Sequence, residues 1–149
     1  ETSIQMAEID QLGPRQRDQR PILIAEDSIL LSRMIHDALT KAGYTNLSMF
    51  GNGRELWDRL TDIKSKGRVA NDCALIITDI EMPQMDGHHL TKLVKDDPEL
   101  KKIPLIIFSS LITDEMRIKG KELGADEQLT KPEIGHLVSV MDQLLARGQ

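Results

Sequence analysis

The sequence predicts an α/β fold in which helices cover both faces of a parallel sheet. From Pro21 onward, short apolar runs of strand length alternate with longer segments whose apolar residues recur every three or four positions. Parallel strands have continuous apolar sequences of this kind because their helical crossovers bury both faces of the sheet. Five strand and helix pairs follow one another without an internal repeat, which indicates one domain of alternating elements.

The first half of the alternation contains a clearly delimited helix. Ser28 is predicted to cap this helix, because its hydroxyl can accept a hydrogen bond from a free amide of the first turn, and Gly43 is predicted to end it. In chain order, the predicted elements are a strand at 22–25, a helix from Ser28 to Gly43, a strand at 47–50, a helix at 52–60, a polar loop at 64–72 and a strand at 74–79.

The second half continues the same alternation. Pro98 stops one helix, because the residue before a proline avoids helical geometry, and Thr113 caps the next, which Gly124 closes. The predicted elements here are a helix at 87–95, a strand at 105–108, a helix from Thr113 to Gly124, a strand at 128–130 and a helix at 133–146.

Residues 1–20 are predicted to be a linker or the tail of a preceding domain, and residues 21–149 to be the domain itself. Gly13-Pro14 interrupts a weak apolar pattern, and residues 15–20 are wholly polar. The sequence begins with Glu1 rather than Met, so we expect it to be a piece of a longer protein.

Composition excludes several classes of function. The net charge is −5, no basic stripe is present and aromatic residues make up only 3%, so we expect no direct binding of nucleic acid. No apolar stretch approaches the ~20 residues that span a bilayer, so no membrane insertion is expected. The single Cys73 cannot form an internal disulfide and is predicted to be a buried small residue. We therefore expect a cytoplasmic protein.

Polar residues end four of the five predicted strands. Asp79 follows the apolar run 74–78, Glu26-Asp27 follows the first strand, and Ser109 and Lys131 follow the fourth and fifth. Residues at the carboxyl ends of parallel strands converge on one edge of the sheet. A carboxylate acceptor, further acids to hold Mg²⁺, a hydroxyl and a cation are what an aspartyl-phosphate site requires, although a strand-end aspartate taken singly is more often a cap or turn former.

These motifs together resemble the receiver domains of two-component response regulators over residues 21–146. The matching motifs are Glu26-Asp27-Ser28, Asp79-Ile80-Glu81-Met82-Pro83, Met85-Asp86-Gly87, Ser109 and Gly124-Ala125-Asp126 through Lys131-Pro132. The resemblance implies a flavodoxin-like (βα)5 fold with a five-stranded parallel sheet in the order 2-1-3-4-5. It also implies a phosphoacceptor signalling module rather than an enzyme with turnover.

The resemblance implies that Asp79 accepts the phosphoryl group. Glu26, Asp27 and Asp79 would hold Mg²⁺ together with the backbone carbonyl of Glu81. The metal is needed because a carboxylate that attacks a phosphoryl group brings two anions together, and a bridging cation relieves their repulsion. Without the metal, we expect the crowded carboxylates to raise one another's pKa.

Ser109 and Lys131 would contact the phosphoryl oxygens, through a hydroxyl donor and a mobile positive charge respectively. The resemblance further implies a cis peptide bond between Lys131 and Pro132, the only kind of peptide bond for which cis is inexpensive. Taken alone, a strand-end hydroxyl and a solvated lysine would need no such role.

Two positions depart from the pattern or add to it. Receiver domains commonly carry an aromatic residue three positions before the lysine, and here that residue is Gln128. The aromatic part of the usual conformational switch is therefore absent, so output through the fourth helix, fifth strand and fifth helix is weakened or uses another rearrangement. The Glu81 side chain is predicted to point at the mouth of the site, where we expect it to tune the lifetime of the phosphorylated state.

The four histidines do not form a predicted metal or phosphohistidine site. His36 and His136 lie on separate predicted helices, and the adjacent His88 and His89 point in directions about 100° apart on a helix. Metal sites require convergent ligands. Surface or partly packed roles are therefore predicted for all four.

The predicted phosphodonor is the phosphohistidine of a histidine kinase. Ala25-Glu26-Asp27-Ser28, residues 29–33, residues 105–111 and the missing aromatic resemble most the receiver half of a CheV-type chemotaxis coupling protein. That resemblance implies the kinase CheA as donor, a preceding CheW-like coupling domain and a chemoreceptor array as partners. Phosphorylation would then adjust receptor-kinase coupling or act as a phosphate sink.

Three alternatives remain at this point. The chain could be the receiver of a transcriptional or other response regulator cut from its effector domain. A haloacid-dehalogenase-like aspartyl phosphatase also uses a strand-end Asp and Mg²⁺, but its pattern has a second Asp where this chain has Glu81. A pseudo-receiver that acts only as a binding surface is disfavoured, because every residue that phosphorylation needs is present.

Overall fold

The computed structural model describes residues 17–131 and 133–147, in which five strands alternate with six α-helices. In chain order, these elements are β1 (Ile22–Ala25), α1 (Ile29–Ala42), β2 (Leu47–Phe50), α2 (Gly53–Ser65), α3 (Val69–Asp72), β3 (Leu75–Thr78), α4 (Gly87–Asp96), a 3₁₀ turn (Leu100–Lys102), β4 (Leu105–Ser109), α5 (Asp114–Leu123), β5 (Glu127–Thr130) and α6 (Ile134–Arg147).

The five strands form one parallel sheet in the order β2-β1-β3-β4-β5, as predicted. Ala25 pairs with Thr78 across β1 and β3, and Ser109 pairs with Thr130 across β4 and β5. The strands therefore end almost level with one another. This register places the residues that follow each strand along one edge, where ligands bind in open α/β sheets.

Each face of the sheet is covered by its own apolar core. Ile22 and Ile24 of β1 join one core cluster, which contains the buried residues of α1 and α6. Leu23 and Ala25 join the other, which contains the buried residues of α2 and α4. Successive side chains of a strand point to opposite faces, so one short apolar strand supplies both cores.

The predicted helix ends are confirmed. The Ser28 hydroxyl accepts a hydrogen bond from the Leu31 amide at 3.2 Å, and Thr113 does the same for Met116 at 3.2 Å. Gly43 and Gly124 end their helices at φ angles of 108° and 100°, in the left-handed region that favours glycine. Local chemistry therefore sets where α1 and α5 begin and end.

The polar loop predicted at residues 64–72 is wrong in part. Helix α2 continues to Ser65, and α3 forms one further turn. Ile63 is buried and anchors the last turn of α2, while Arg68 and Asp72 pair at 2.9 Å across α3. A polar sequence can be helical when one apolar residue per turn reaches the core and the remaining side chains pair in solvent.

Residues 17–20, at the end of the predicted linker, lie against the domain. The Gln19 backbone carbonyl accepts a hydrogen bond from the Asn46 side chain at 2.9 Å, and the Gln19 side-chain oxygen accepts one from Thr45 at 2.6 Å. Arg17 is buried against α6. The rest of the predicted linker, residues 1–16, and the peptide bond to Pro132, which was predicted to be cis, lie outside the described residues. Within those described ranges, each helix is too short or too polar for a bilayer span.

Candidate functional site

An open cleft lies at the carboxyl edge of the sheet, and the predicted site residues surround it. The cleft encloses about 570 Å³. Its lining residues come from the ends of β1, β3 and β4 and from the segments that follow: Glu26, Asp27, Ser28, Leu31, Asp79, Glu81, Met82, Ser109, Ser110 and Leu111. The sequence analysis gave Leu31, Met82, Ser110 and Leu111 no role of their own in the site, because nothing in a single side chain of these types marks it as the rim of a cleft.

Three carboxylates meet in this cleft. Glu26, Asp27 and Asp79 each offer an oxygen within 4.8 Å of the others. Glu26 is buried, Asp79 is partly buried and Asp27 is exposed, so the cluster grades from the protein interior to solvent. Mg²⁺ prefers oxygen ligands and keeps several waters, and a cluster that is open on one side suits it. The donor set therefore fits the divalent cation that the sequence predicted.

Glu26 is the most constrained of the three acids. Its Oε2 accepts a hydrogen bond from the Ser28 amide at 3.0 Å, and its Oε1 is hydrogen-bonded to the ammonium of Lys131. Burial raises the pKa of Glu26 above its ordinary value and the nearby Asp79 adds to the rise, while Lys131 and the Ser28 amide oppose it. The predicted direction of this pKa shift is confirmed for Glu26, but burial contributes more to it than repulsion between carboxylates.

Lys131 lies across the cluster and contacts two of its acids. Besides the contact with Glu26, its Nζ lies 3.4 Å from Asp79 Oδ2, and its side chain is only 7% exposed. The ammonium also lies 5.9 Å from the centre of the Phe108 ring. The sequence analysis placed Lys131 at this edge but did not predict its pairing with Glu26, which depends on the packing of β5 beside β4.

The backbone around Asp79 is fixed by hydrogen bonds on both sides. Its amide donates to the Ala25 carbonyl at 3.0 Å, and the Ile80 amide donates to its Oδ1 at 2.8 Å. Oδ2 is the oxygen that faces Lys131. One carboxylate oxygen is thereby held by the Ile80 amide, and the other faces the ammonium of Lys131.

The loop after Asp79 turns back tightly against the strand end. The Gly87 amide donates to the Ile80 carbonyl at 2.7 Å, and a Cβ on Gly87 would overlap the Asp79 carbonyl oxygen and lie 3.0 Å from Ile80 Cα. Gln84 adopts φ 67°, which is uncommon for a residue other than glycine. This compact path leaves the Glu81 side chain exposed on the wall of the cleft, as predicted.

Ser109 ends β4 beside Lys131. Its carbonyl accepts a hydrogen bond from the Lys131 amide at 2.9 Å, and the residue is buried at the inner side of the cleft. The next residues, Ser110 and Leu111, are exposed on its rim. A hydroxyl, a cation and an acid cluster therefore surround one space, so the structure brings together every residue that the sequence analysis assigned to the site.

The remaining candidates lie away from the cleft or do not converge. Cys73 is buried as predicted, and burial raises the pKa of its thiol to about 12. Among the described residues, the group of acids in the cleft is the one cluster of potential metal ligands, and it includes no histidine. His88 is more deeply buried than a surface position implies, and burial lowers its pKa.

The arrangement can support chemistry on a phosphorylated partner. A carboxylate at the mouth of a cleft can act as a nucleophile when neighbouring cations offset the negative charge of the group it attacks. Lys131 supplies one such cation, and a metal held by the acids would supply another. The cleft is open to solvent, so a phosphorylated donor can reach the Asp79 carboxylate.

Comparison with known proteins identifies a family, related sequences and solved structures of similar fold. The family model of the response regulator receiver domain matches residues 22–142. The gliding motility regulatory protein of Myxococcus xanthus is 33% identical over 126 residues, which cover 85% of this chain and 15% of that protein. The chemotaxis protein CheV2 of Helicobacter pylori is 32% identical over 130 residues, which cover 87% of this chain and 40% of that protein. This chain thus spans less than half the length of either relative.

A solved structure shows the same architecture. The signal receiver domain of a signal transduction histidine kinase from Syntrophus aciditrophicus superposes with a TM-score of 0.73 at 32% sequence identity, and the match covers 86% of this chain and 91% of that one. Three findings point to one family: the strand order of the sheet, the convergence of acids at its carboxyl edge and the family match over residues 22–142. The chain belongs to the response regulator receiver domain family.

Proposed function

We propose that this chain is the phosphoacceptor module of a two-component system and that Asp79 accepts the phosphoryl group from the phosphohistidine of a histidine kinase. The observation that carries the proposal is the convergence of Glu26, Asp27 and Asp79 within 4.8 Å, with the Lys131 ammonium 3.4 Å from Asp79 Oδ2. In this proposal residues 21–149 form the receiver and residues 1–20 connect it to a preceding domain.

The transfer step exchanges one bond to phosphorus for another. A carboxylate oxygen of Asp79 attacks the phosphorus atom, the bond from phosphorus to the donor's imidazole nitrogen breaks, and that nitrogen keeps the electron pair. The leaving imidazole takes up a proton from solvent, so the products are an acyl phosphate on Asp79 and a neutral histidine on the kinase. The buried Ser109 lines the space in which the phosphoryl oxygens would lie, and Lys131 lies beside that space through its contact with Asp79.

Mg²⁺ would be held by Glu26, Asp27 and Asp79 and by the backbone carbonyl of Glu81. The cation would neutralise charge that builds up between the acid cluster and the incoming phosphoryl group. Glu26 can serve as a ligand only when it is ionised, and Lys131 already favours that state by hydrogen bonding.

The finer assignment is a receiver of the CheV type, phosphorylated by the kinase CheA next to a CheW-like coupling domain. The similarity to CheV2 over 87% of this chain supports it. The output would be an altered surface that adjusts the coupling between receptors and kinase, or a phosphate sink. Whether CheA is the phosphodonor is tested by comparing the rate of phosphotransfer from purified CheA with the rates from unrelated histidine kinases.

The proposal is tested by phosphotransfer to the Asp79→Asn variant. Radiolabelled phosphohistidine kinases should label the parent chain once, in a Mg²⁺-dependent reaction, to give a base-labile product, and Asp79→Asn should remain unlabelled. Asp96→Asn, at an exposed position on α4, is the matched control and should be labelled like the parent. Label that persists on Asp79→Asn, or steady hydrolysis of a phosphomonoester, would contradict the assignment.

Glu81 provides a second test of the same cleft. Its exposed carboxylate lines the space through which water must approach an acyl phosphate on Asp79. We expect Glu81→Ala to change the decay rate of the phosphorylated chain while it still accepts label at the same site. The measurement is the loss of radiolabel with time after removal of the kinase, and equal decay rates would remove Glu81 from the mechanism.

A further inference from the structure

Helix α5 is attached to the domain by little apolar surface. Gly120 is its one buried residue, although Met116 is partly buried against the core. Ile118, the other large apolar residue in the middle of the helix, is 59% exposed. Most of the stability of a short helix comes from the packing of its apolar face. The position of α5 must therefore depend on contacts of another kind.

The first such contact joins α5 to strand β5 through Gln128. The Gln128 side-chain nitrogen donates to the Arg117 carbonyl at 2.9 Å, and the Arg117 guanidinium donates to the Gln128 carbonyl at 3.3 Å. The carboxamide lies directly against Gly120, where an added Cβ would lie 2.8 Å from Gln128 Cδ and would overlap Oε1. The absence of a side chain at residue 120 creates the space that the amide occupies.

The second contact joins α5 to helix α4 through His88. This histidine is buried, and the backbone of Met116, one residue before Arg117, lies close enough to influence its pKa. Polar side chains from two different elements, β5 and α4, therefore lie beside successive residues of α5. Polar contacts of this kind hold a helix in one position. They bury little apolar surface, so little of it becomes exposed to water if the helix moves.

The polar contacts around α5 are incomplete. Among the described residues, three buried side-chain atoms lack a hydrogen-bond partner, and two of them are Gln128 Oε1 and His88 Nε2. A buried polar atom without a partner makes the arrangement that contains it less stable. The bonds that hold α5 in its observed position are therefore individually weak, and they leave two neighbouring buried atoms unpaired.

The chain connects α5 directly to the acid cleft. Ser109 ends β4 at the cleft, and Ser110 and Leu111 run along its rim before Thr113 caps α5. Gln128 pairs with Ile107 on β4, two residues before Ser109. Ser109 is therefore joined to the start of α5 by the chain and to β5, which carries the polar contact, by strand pairing.

We propose that the contact of Gln128 with Arg117 and Gly120 is a latch that holds α5 in its resting position, and that this receiver responds to its phosphorylation by releasing the latch. The second half of this inference rests on the proposed function, whereas the latch itself does not. Release of the latch frees the Arg117 carbonyl from Gln128 and changes the surface between α4 and β5.

The latch is tested in the unphosphorylated protein by amide hydrogen exchange, residue by residue. Gln128→Met keeps the length of the side chain but removes its amide. Gly120→Ala places a methyl group in the space that the Gln128 carboxamide occupies. Gln143→Met, at an exposed position on α6, is the matched control. We expect exchange of the α5 amides to rise about fivefold in each latch variant, as for the loss of one neutral hydrogen bond, and to be unchanged in Gln143→Met.

Gly120→Ala makes the test more stringent. Alanine is a better helix former than glycine by about 1 kcal/mol, so it should slow exchange within α5 if the helix responded only to its own propensity. Faster exchange in spite of that gain supports the latch. Slower or unchanged exchange in both latch variants, or an equal rise across α4, α5 and α6, would overturn it.

The link to phosphorylation has a separate readout. After phosphotransfer, exchange of the α5 amides should rise in the parent and should rise no further in Gln128→Met. If the parent accepts label at Asp79 but α5 exchange does not change, the coupling is wrong while the proposed function survives. If Asp79 accepts no label, the proposed function fails, and the experiment on the unphosphorylated protein still decides whether the latch exists.

Discussion

Helices α5 and α6 occupy equivalent positions in the chain but are attached to the domain in different ways. Each follows a strand whose end supplies a site residue, Ser109 before α5 and Lys131 before α6. Helix α5 buries Gly120, whereas α6 buries seven residues: Gly135, Leu137, Val138, Val140, Met141, Leu144 and Leu145. The comparison shows that two strand ends that supply site residues lead into helices of different kinds, one positioned by polar bonds and one fixed by apolar packing.

A second anchor strengthens the attachment of α6. Asp142 on this helix accepts hydrogen bonds from the Arg17 guanidinium at 3.2 and 3.3 Å and from the Tyr44 hydroxyl at 2.6 Å. Arg17 also stacks over the Tyr44 ring at 5.8 Å, and burial together with Asp142 raises the pKa of Tyr44. The segment before β1 and the end of α1 are thus tied to α6, at the opposite end of the sheet from the acid cleft.

The largest expected difference between the two helices is the cost of removing an apolar side chain. Leu137 of α6 is fully buried, so Leu137→Ala should lower the free energy of unfolding by about 2–5 kcal/mol. Ile118→Ala on the exposed face of α5 should change it by about 0.5 kcal/mol or less. Urea denaturation of both variants measures the contrast. Comparable losses would show that α5 is packed as firmly as α6.

A smaller effect is expected from the anchor at Asp142. Replacing Arg17 by Met removes a buried guanidinium and two charge-assisted hydrogen bonds, for an expected loss of about 1.5–3 kcal/mol. A double-mutant cycle with Asp142→Asn isolates the interaction between the two side chains. We expect the two substitutions to be clearly non-additive in urea denaturation.

Arg20→Met is the matched control for that cycle, because Arg20 pairs with Asp18 rather than with α6. The effects of Arg20→Met and Asp142→Asn on the free energy of unfolding should be additive. Additivity of Arg17→Met with Asp142→Asn would instead mean that the side chains of Arg17 and Asp142 do not stabilise each other.

The smallest expected effect is a pH dependence confined to the contact between α4 and α5. Burial lowers the pKa of His88 from its ordinary 6.5, Lys119 lowers it further, and Asp86 and the Met116 backbone oppose the shift. The unfolded chain therefore binds the proton more readily than the folded chain. Stability is fully present above the unfolded pKa and is lost as the pH falls through the folded value.

This dependence is measured by comparing urea midpoints at about pH 7.5 and about pH 5.5, a range in which histidines titrate. The parent should lose more stability on acidification than His88→Gln. The neighbouring His89 is exposed, so His89→Gln should behave like the parent. An equal loss of stability in all three proteins would show that protonation of His88 does not affect the contact between α4 and α5.

The sequence determined most of the fold through local signals. Apolar runs of strand length and the caps Ser28, Thr113, Gly43 and Gly124 lie where the structure has strands and helix ends, because caps and turns depend on the chemistry of a few adjacent residues. The loop predicted at 64–72 was partly wrong because burial of Ile63, a tertiary contact, extends α2 through a polar stretch.

The sequence also determined which residues meet at the site, since parallel strands of similar length end at one edge whatever lies between them. Glu26, Asp27, Asp79, Ser109 and Lys131 could be named for that reason alone. Only the tertiary structure decided how they pair, because the contact of Lys131 with Glu26 joins side chains 105 residues apart. The contact of Gln128 with Gly120 and the contact of Arg17 with α6 likewise depend on how separate elements pack. No local sequence pattern encodes contacts between residues so far apart in the chain.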